Sequence, residues 1–375
     1  MKLIYVDIIM TEILNVRFGL RNLLKQSFLW DYTTSISESI LNTDKEPEIR
    51  SKIKELAIKL SKARDLLFID NSDLASRKAS WVALVNKKVS MDEPLDSRSR
   101  PGHELIDYHM PHFWRVSNWK GVSVYDLAGD STLMYKALWA NLKMHSTPYV
   151  SEIRRSLCMV GGLSNVTKYR APLAKAIIEG YGAKKVLDPC IGWGGRMLGA
   201  LAAGATYTGC EPCVDTYKGL LGILKDISIE DRCILMNKPA EEGLLEVGDS
   251  YDMVLTSPPY YNLEKYSDEG DQSLVKYGSW EKWLNEWLDP VITMSLSCLK
   301  DNGTSCWSVK NFRTDRSYYL ADEVKAAHKR NGWDLVKVVR MIGSGRPGAG
   351  RIVDGAESRR SEEETYIFKK ATNGA

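Results

Sequence analysis

The spacing of hydrophobic residues changes once along the chain. Before about residue 165, apolar side chains recur at intervals of three and four, as they do between Ile53 and Leu67. This period places them on one face of a helix, so we predict an amphipathic helix over residues 51–68 within a mainly helical N-terminal region, residues 1–165. From about residue 168 onward, short apolar runs alternate with helical stretches, which predicts a second domain over residues 166–375.

Seven apolar runs of the second domain have the length of buried strands. In chain order they are Lys185–Leu187, Tyr207–Cys210, Cys233–Met236, Met253–Leu255, Thr304–Val309, Val336–Met341 and Tyr366–Phe368. Helical stretches separate the first five, and this alternation predicts a parallel sheet with helices on both faces. With right-handed crossovers, the result is an α/β fold of the doubly wound, Rossmann-like kind. Ligands of such folds bind beyond the carboxyl ends of the strands.

The composition is that of a soluble globular protein and narrows the function only slightly. Of 375 residues, 44% are hydrophobic and 26% are charged, and no apolar run is long enough to span a membrane. The seven cysteines are an odd number and scattered, which favours reduced thiols in a cytoplasmic protein. Residues 1–165 hold 23 Lys and Arg against 19 Asp and Glu, a mildly basic balance that is compatible with nucleic acid.

A strand, a glycine turn and a helix follow one another over residues 186–200. The strand ends at Asp188, the turn contains Gly192 and Gly194, and the next strand ends at Glu211. Glycines allow a ligand to approach the backbone closely, and a carboxylate at the end of the next strand can accept hydrogen bonds from ribose hydroxyls. The turn lacks the third glycine of the dinucleotide fingerprint. A nucleoside cofactor without pyrophosphate, namely adenosine joined to methionine, therefore fits better.

A second motif, Ser257-Pro258-Pro259-Tyr260, comes directly after an apolar strand. Its two prolines lack N–H groups and stiffen the backbone, so the carbonyl groups project outward as acceptors. An exocyclic amino nitrogen is a poor nucleophile because its lone pair is conjugated with the base. Hydrogen bonds from that amino group to the Pro258 carbonyl and the Ser257 hydroxyl would turn the lone pair toward a methyl donor. Tyr260 is placed to stack on a base that has been flipped out of a duplex.

Together the two segments resemble the amino-methyltransferases of DNA. That family carries an Asp-Pro-(aromatic)-x-Gly-x-Gly cofactor motif and an (Asp/Asn/Ser)-Pro-Pro-(Tyr/Phe/Trp) catalytic motif, here residues 188–194 and 257–260. The chain is similar to phage-encoded DNA methylases. Its Ser257 is similar to the residue found in members that methylate N4 of cytosine, whereas members acting on N6 of adenine more often have Asp or Asn.

The resemblance covers residues 165–370 and implies the main features of the reaction. It implies S-adenosyl-L-methionine as the cofactor, a flipped base of double-stranded DNA as the substrate, and no metal. It also implies a seven-strand methyltransferase sheet that ends in an antiparallel hairpin, Val336–Met341 with Tyr366–Phe368. If the chain is phage-encoded, its location is the host cytoplasm. Few residues follow the last strand, so residues 1–165 are the candidate region for target recognition.

The resemblance implies further cofactor contacts. In the family, the segment before the glycine turn contacts the methionine part, and Thr167 and Tyr169 occupy that place here. Cys190 stands where the family carries an aromatic residue beside the cofactor. An acid or amide after the third strand lies near the adenine in the family, and Asn237 or Glu241 can fill that role.

Several other functions are compatible with the same motifs. Methylation of N6 of adenine is the first alternative to N4 of cytosine, and methylation of an RNA base or of a protein amide nitrogen needs a similar fold. A non-catalytic module that keeps the fold and binds nucleic acid is an alternative of a different class. The intact catalytic motif together with Glu211 favours an enzyme.

Three histidines, His103, His109 and His112, lie close together in the sequence. A zinc site would need a fourth ligand, and no CxxC pair is nearby. Contact with nucleic acid, assisted by Arg115 and Trp119, is one interpretation. A folded aromatic core is the interpretation that the composition favours.

Three further segments have two interpretations each. Trp280, Trp283 and Trp287 recur at helical spacing, which favours core packing over base stacking. Residues 343–351 form a glycine-rich basic loop, suited to a phosphate backbone or simply to solvent. Residues 261–272 follow the catalytic motif and either close over a flipped base or form a surface loop.

Overall fold

The computed structural model describes residues 46–91, 95–96, 99–143, 150–163, 166–266, 269–342, 352–353, 356–357 and 362–371. The chain divides into two compact units. The first comprises the described residues within Met1–Ile69 and His112–Val166, and the second those within Asp70–Pro111 and Thr167–Ala375. The predicted division at residue 165 lies beside the observed one at Val166. Residues 70–111, however, which the sequence analysis placed in the N-terminal region, belong to the second unit.

The described helices are, in chain order, α1 Glu46–Lys62, α2 Leu74–Val85, α3 His103–His109, α4 Val124–Gly129, α5 Ser131–Lys143, α6 Val150–Val160, α7 Ala171–Tyr181, α8 Gly195–Ala202, α9 Val214–Ile227, α10 Ala240–Gly243, α11 Ser273–Tyr277, α12 Trp280–Trp283, α13 Asp289–Ser297 and α14 Leu320–Arg330. A π-helical turn, Leu284–Leu288, joins α12 to α13. Short 3-10 turns lie at Arg64–Leu67, Pro111–Arg115, Glu230–Arg232 and Leu244–Glu246. Within the described part of the chain, no helix combines the length and apolar character needed to cross a bilayer.

The main sheet has eight strands: β1 Leu95–Asp96, β2 Lys185–Asp188, β3 Thr206–Cys210, β4 Cys233–Met236, β5 Tyr251–Thr256, β6 Leu299–Ser308, β7 Trp333–Ile342 and β8 Glu362–Lys370. Their order across the sheet is β1-β7-β8-β6-β5-β2-β3-β4. Two-residue strands also occur at Ser117–Asn118, Glu264–Lys265, Phe312–Arg313, Ser317–Tyr318, Ile352–Val353 and Ala356–Glu357.

The strand order confirms the predicted doubly wound α/β fold. The five neighbours β4, β3, β2, β5 and β6 pair in parallel, and the order reverses direction at β2, which is the topological switch point. β8 is antiparallel to both β6 and β7, with Val338 opposite Tyr366, so the predicted C-terminal hairpin is also confirmed. All seven predicted strands are present, and the short β1 extends the sheet by pairing with the end of β7.

The first unit is helical, as predicted. Helices α1, α4, α5 and α6 bury one hydrophobic cluster, which includes Ile53, Leu60, Met134, Ile153 and Leu157. The 3.6-residue period that predicted a helix over residues 51–68 holds over α1 and the following 3-10 turn, since Ile53, Leu56, Leu60 and Leu67 are all buried. The predicted helical character of residues 8–45 lies outside the described residues.

Residues 70–111 join the second unit because polar side chains tie them to the helices of the sheet. Asp226 of α9 accepts hydrogen bonds from Arg77 of α2 and His109 of α3, at 2.7 and 2.8 Å. Gly219 of α9 lies so close to α3 that a Cβ atom there would stand 2.6 Å from the His109 carbonyl. The same residues contain a regular helix, α3.

Candidate active site

The two motifs predicted from the sequence meet at one edge of the sheet. β2 pairs in parallel with β3 on one side and with β5 on the other. Parallel neighbours end at the same edge, so the glycine turn after Asp188, the acid Glu211 after β3 and the proline motif after Thr256 are adjacent. The switch point of the sheet therefore carries the candidate site, as the fold predicts.

Asp188 is the side chain around which this edge is organised. It is fully buried, and its carboxylate accepts hydrogen bonds from Tyr207 Oη at 2.6 Å and Thr256 Oγ1 at 2.7 Å. The backbone N–H of Cys190 donates a further bond at 3.1 Å. With the guanidinium of Arg196 added, the acceptor positions of the carboxylate are filled within the protein. Asp188 thus positions the turn, rather than presenting a free carboxylate to a ligand.

Arg196 holds the glycine turn from inside. Its Nε lies 2.7 Å from Asp188 Oδ2, and its Nη2 donates to the carbonyl groups of Cys190 and Ile191. Both members of the ion pair are buried. Burial opposes the charge of Arg196, but Asp188 keeps its pKa above the ordinary arginine value. A buried charge that is paired and fully hydrogen-bonded in this way fixes the shape of the turn, since losing either partner leaves an uncompensated charge.

The glycines of the turn have distinct roles. Gly192 adopts a φ of +58° and Gly194 one of +84°, in the left-handed region that favours glycine. A Cβ on Gly192 would meet no atom within 4 Å, so the space above it is open. A Cβ on Gly195, by contrast, would lie 2.1 Å from the carbonyl oxygen of Tyr169. The turn therefore needs glycine for close packing on one side and leaves room for a ligand on the other.

Glu211 faces the glycine turn from the end of β3. Its Oε2 accepts from the Gly192 N–H at 3.0 Å and its Oε1 from the Cys213 N–H at 2.9 Å. Burial raises the pKa of Glu211 to about 7, although these two N–H groups stabilise the charged form. Each carboxylate oxygen has two lone pairs, so each keeps acceptor capacity for one further donor. Two vicinal hydroxyl groups match that capacity.

The proline motif leaves β5 as a turn beside these residues. Pro258 is buried, whereas Ser257, Pro259 and Tyr260 are half-buried. The Tyr260 ring packs edge-on against Phe312, with ring centroids 5.8 Å apart. The Lys310 ammonium lies 5.9 Å from the centroid of the same ring. The stacking role predicted for Tyr260 stays a prediction.

Tyr261, the residue after the motif, has a φ of +41°, which is unusual for any residue except glycine. Its side chain is buried, and its hydroxyl donates to the Gly278 carbonyl at 2.6 Å. Its ring contacts Trp283 and Tyr318, so packing on several sides holds this backbone conformation. Strain that the surroundings enforce in this way is common at functional turns.

The segment after the motif folds back over the glycine turn. The Tyr266 ring lies 6.1 Å from the ring of Trp193, which is part of the turn, and its hydroxyl donates to Glu264 at 2.5 Å. Burial and the neighbouring Glu264 raise the pKa of Tyr266 well above its ordinary value, and the charges of Tyr260 and Glu211 act on it too. Closure of residues 261–272 over a flipped base stays a prediction, and residues 267–268 lie outside the described residues.

The other residues predicted to contact the cofactor lie in different surroundings. Tyr169 is buried, with its ring 5.1 Å from the Arg196 guanidinium, whereas Thr167 is exposed. The Asn237 amide donates to the Glu211 carbonyl at 2.8 Å and thus holds the end of β3. Glu241 accepts from Lys276, Tyr277 and Trp287, all at 2.9–3.0 Å. Asn237 and Glu241 thus hold neighbouring elements together, and their predicted place near the adenine stays a prediction.

Cys190 occupies the position where the family resemblance suggests an aromatic ring. The side chain is partly buried and packs against the hydrophobic cluster below the sheet edge. Burial raises the pKa of its thiol well above the ordinary value. A neutral thiol of this kind behaves as a small hydrophobic group and not as a nucleophile.

The histidine cluster of the sequence analysis does not come together as a site. His103 and His109 belong to the second unit, where His103 lies 3.4 Å from Arg170 and His109 is bonded to Asp226. His112 belongs to the first unit. Within the part of the chain that the structure describes, no group of three His, Cys, Asp or Glu residues is arranged to hold a metal ion.

The tryptophan stripe has the structural role that its spacing predicted. Trp283 and Trp287 are buried in the large hydrophobic cluster of the second unit, and Trp280 packs against its edge. The Trp287 indole donates to Glu241 at 3.0 Å, which links the π-helical turn to α10. The predicted basic loop, residues 343–350, lies outside the described residues together with Arg351.

Three residues of the site were not identified from the sequence: Arg196, Tyr207 and Thr256. Each bonds Asp188, and each comes from a different element. Of the three, Arg196 had a signal in the sequence, because a charged residue directly before the apolar run Met197–Ala202 is unusual unless it has a buried partner. Tyr and Thr are common strand residues, so Tyr207 and Thr256 could not be singled out from the sequence.

No protein-family model matches the chain, and no curated protein matches it. Solved structures similar to it include the precorrin-8w decarboxylase of Methanobacterium thermoautotrophicum, with 14% identity over 56% of this chain and 94% of that chain and a TM-score of 0.36. A putative RNA methyltransferase of Pyrococcus horikoshii has 15% identity over 55% and 83%, with a TM-score of 0.35. The 1,6-didemethyltoxoflavin-N1-methyltransferase of Burkholderia thailandensis, solved with S-adenosylhomocysteine, has 15% identity over 54% and 78%, with a TM-score of 0.38. Because these values are low, the fold assignment rests on the strand order of the sheet itself.

Proposed function

We propose that this protein is an S-adenosylmethionine-dependent methyltransferase that modifies the exocyclic amino nitrogen of a DNA base, with N4 of cytosine as the target. The observation that carries the proposal is the hydrogen bond between Thr256 and Asp188. It joins the strand that leads into Ser257-Pro258-Pro259-Tyr260 to the strand that leads into the glycine turn. A methyl donor held at one turn is thereby brought beside an acceptor held at the other.

The residues at the sheet edge fit the cofactor. The open space above Gly192 accommodates a ligand close to the backbone, and Glu211 keeps one acceptor position on each oxygen for the two ribose hydroxyls. Tyr169 lies on the other side of the turn, where the methionine part would extend. The turn presents no third glycine for a pyrophosphate, which favours a nucleoside without phosphate. When bound, the cofactor supplies an activated methyl group on a positively charged sulfur.

The residues of the chain contribute to the reaction by orienting the amino group of the target base. The Pro258 carbonyl and the Ser257 hydroxyl accept hydrogen bonds from the amino group of the target base and turn its lone pair toward the methyl group. The bound cofactor would supply the methyl group to this nitrogen, while the Pro258 carbonyl and the Ser257 hydroxyl would hold the amino group in place. Tyr260, whose ring Phe312 holds edge-on, supports the base by stacking. Fixed dipoles of this kind require little reorganisation during the reaction.

The segment beside the glycine turn suits a reaction in which the target base is shielded from water. Tyr266 and Trp193 close the side of the glycine turn, and the strained Tyr261 directs the chain back over it. Excluding water strengthens the weak hydrogen bonds on which the amino group depends. The serine at position 257 supports N4 of cytosine over N6 of adenine, because it is the form typical of cytosine-specific relatives.

A transfer assay with purified protein tests the proposal. The chain is incubated with S-adenosylmethionine carrying a labelled methyl group and with duplex DNA, RNA or no nucleic acid. We expect label in DNA, lost in Pro258→Ala and Tyr260→Ala, while binding of S-adenosylhomocysteine persists in both. Tyr319→Ala is the matched control, because Tyr319 is an exposed tyrosine of the same unit. Label in RNA alone would contradict the assignment of DNA, and binding without any transfer would contradict the assignment as an enzyme.

A further inference from the structure

Residues 115–125 of the first unit form a closed loop, called here the 115–125 loop. At its base, the Arg115 guanidinium lies 4.0 Å from the centroid of the Tyr125 ring. Halfway along, the Asn118 N–H donates to the Val122 carbonyl at 3.0 Å. The two contacts hold both sides of the loop together and leave residues 119–121 at its tip.

The tip of the loop is a hydrogen-bonded turn. The Asn118 side chain accepts bonds from the N–H groups of Lys120 and Val122, at 3.0 and 3.1 Å. Gly121 completes the turn with a φ of +75° and donates to the Asn118 carbonyl at 2.8 Å. Trp119 stands on this turn with 44% of its surface exposed. A large aromatic side chain on a preorganised turn loses little conformational freedom when it binds a partner.

Cationic side chains lie at the tip and at the base of the loop. The Lys120 ammonium lies 5.1 Å from the Trp119 ring, and the Arg115 side chain is 62% exposed. Arg64 adds a second guanidinium to the Tyr125 ring, at 4.3 Å from its centroid. A guanidinium that stacks on a ring keeps its N–H edge available for an anion such as phosphate.

Most acidic side chains near the loop accept hydrogen bonds from backbone N–H groups at the start of a helix. Asp126 accepts from the backbone at the start of α4, and Asp130 does the same for α5. Asp65 does approach the loop: it lies 3.8 Å from Arg115 and accepts a hydrogen bond from the Tyr125 hydroxyl at 2.6 Å. Residues 46–69 and 112–166 hold 12 Lys and Arg against 7 Asp and Glu, a net charge of +5, in a chain whose total is +3. The loop therefore belongs to the part of the chain that has a net positive charge.

We propose that the 115–125 loop is a DNA-binding element, in which Arg64, Arg115 and Lys120 contact backbone phosphates and Trp119 stacks on an exposed base. The proposal rests on the proposed function, because it names the surface by which that function engages its substrate. Combining cations with an exposed aromatic is how proteins hold nucleic acid at positions where a base is unstacked. Flipping a base out of a duplex creates such a position.

Fluorescence anisotropy with the full chain and labelled DNA tests this surface. One duplex is fully paired and a second carries a mismatched cytosine, and each is titrated at several salt concentrations. Trp119→Ala should weaken binding to the mismatched duplex roughly tenfold, with the salt dependence unchanged, and Trp119→Phe should restore it. Arg115→Gln should weaken binding to both duplexes and lower the slope of log affinity against log salt by about one.

Arg155→Gln is the matched control, because Arg155 lies in the same unit but is paired with Glu152 on its own helix at 2.5 Å. Thermal unfolding establishes that each variant is folded. If Trp119→Ala and Arg115→Gln bind DNA as the unmodified chain does, the loop is not the contact surface, while methyl transfer by the unmodified chain still upholds the proposed function. If the unmodified chain binds no DNA even at low salt, both proposals fail.

Discussion

Thr256 Oγ1 donates to Asp188 Oδ1 at 2.7 Å across two neighbouring strands, and neither side chain is exposed. Replacing Thr256 by Val keeps the shape but removes the donor from a buried carboxylate. We expect a loss of about 1–3 kcal/mol in the free energy of unfolding, measured by urea denaturation. Methyl transfer should fall more than cofactor affinity, because the proline motif follows Thr256 directly. Thr256→Ser, which keeps the hydroxyl, should restore both, and equal losses in the two variants would contradict this account.

The ion pair between Asp188 and Arg196 gives a second prediction. Arg196→Met removes the cation and leaves Asp188 buried without a counter-charge, which should cost about 3–5 kcal/mol in the free energy of unfolding. Cofactor binding should weaken as well, since the Cys190 and Ile191 carbonyls lose their donor. Arg155→Met is the control and should change stability by less than about 0.5 kcal/mol, as expected for an exposed site. A small effect of Arg196→Met would show that the pair does not shape the turn.

The pKa of Glu211 predicts how cofactor binding depends on pH. In the free protein burial raises this pKa to about 7, and the charged form accepts hydrogen bonds from two ribose hydroxyls more strongly than the protonated form. Binding then releases protons below the pKa, so affinity should rise with pH, by at most about tenfold per pH unit, up to about pH 7 and level off above it. Calorimetric titration with S-adenosylhomocysteine at several pH values measures this. Glu211→Gln should bind weakly with a flat profile, and an unmodified chain whose affinity falls as pH rises would contradict the role of Glu211.

A side chain at position 195 should have a local steric effect. A Cβ there would lie 2.1 Å from the Tyr169 carbonyl, so Gly195→Ala must push the 167–170 segment away from α8. We expect destabilisation of about 1–3 kcal/mol and weaker cofactor binding, measured by denaturation and calorimetry. Gly248→Ala is the control, because no atom lies within 4 Å of its Cβ position and its φ is not positive. If both substitutions behave alike, close packing at Gly195 is not required.

The seven strands and the position of the site followed from the sequence because both depend on local patterns. Apolar runs of strand length locate the strands, and parallel strands bring their carboxyl ends, here Asp188 and Thr256, to one edge. The hydrogen bonds around Asp188 could not be predicted from local patterns. One donor, Thr256, lies 68 positions away in the sequence and has the side chain of an ordinary strand residue. Glu241 shows the same limit, because its partner Lys276 lies 35 positions away.

Residues 70–111 illustrate a different limit. The predicted division of the chain at residue 165 placed them in the N-terminal region. The structure instead packs α3 against Gly219 of α9, and Asp226 binds both Arg77 and His109. Tertiary hydrogen bonds and close backbone contacts decided the placement, and neither is visible in hydrophobic periodicity.

Mass spectrometry of nucleosides from the DNA of methylation-free cells that express this chain shows directly whether a DNA base is methylated. We expect N4-methylcytosine, present with the unmodified chain and absent with Pro258→Ala expressed to the same level. N6-methyladenine in its place would keep the class of enzyme and contradict the assignment of cytosine to Ser257. DNA without either methylated base, from cells in which the protein is folded and binds S-adenosylhomocysteine, would contradict DNA amino-methylation itself.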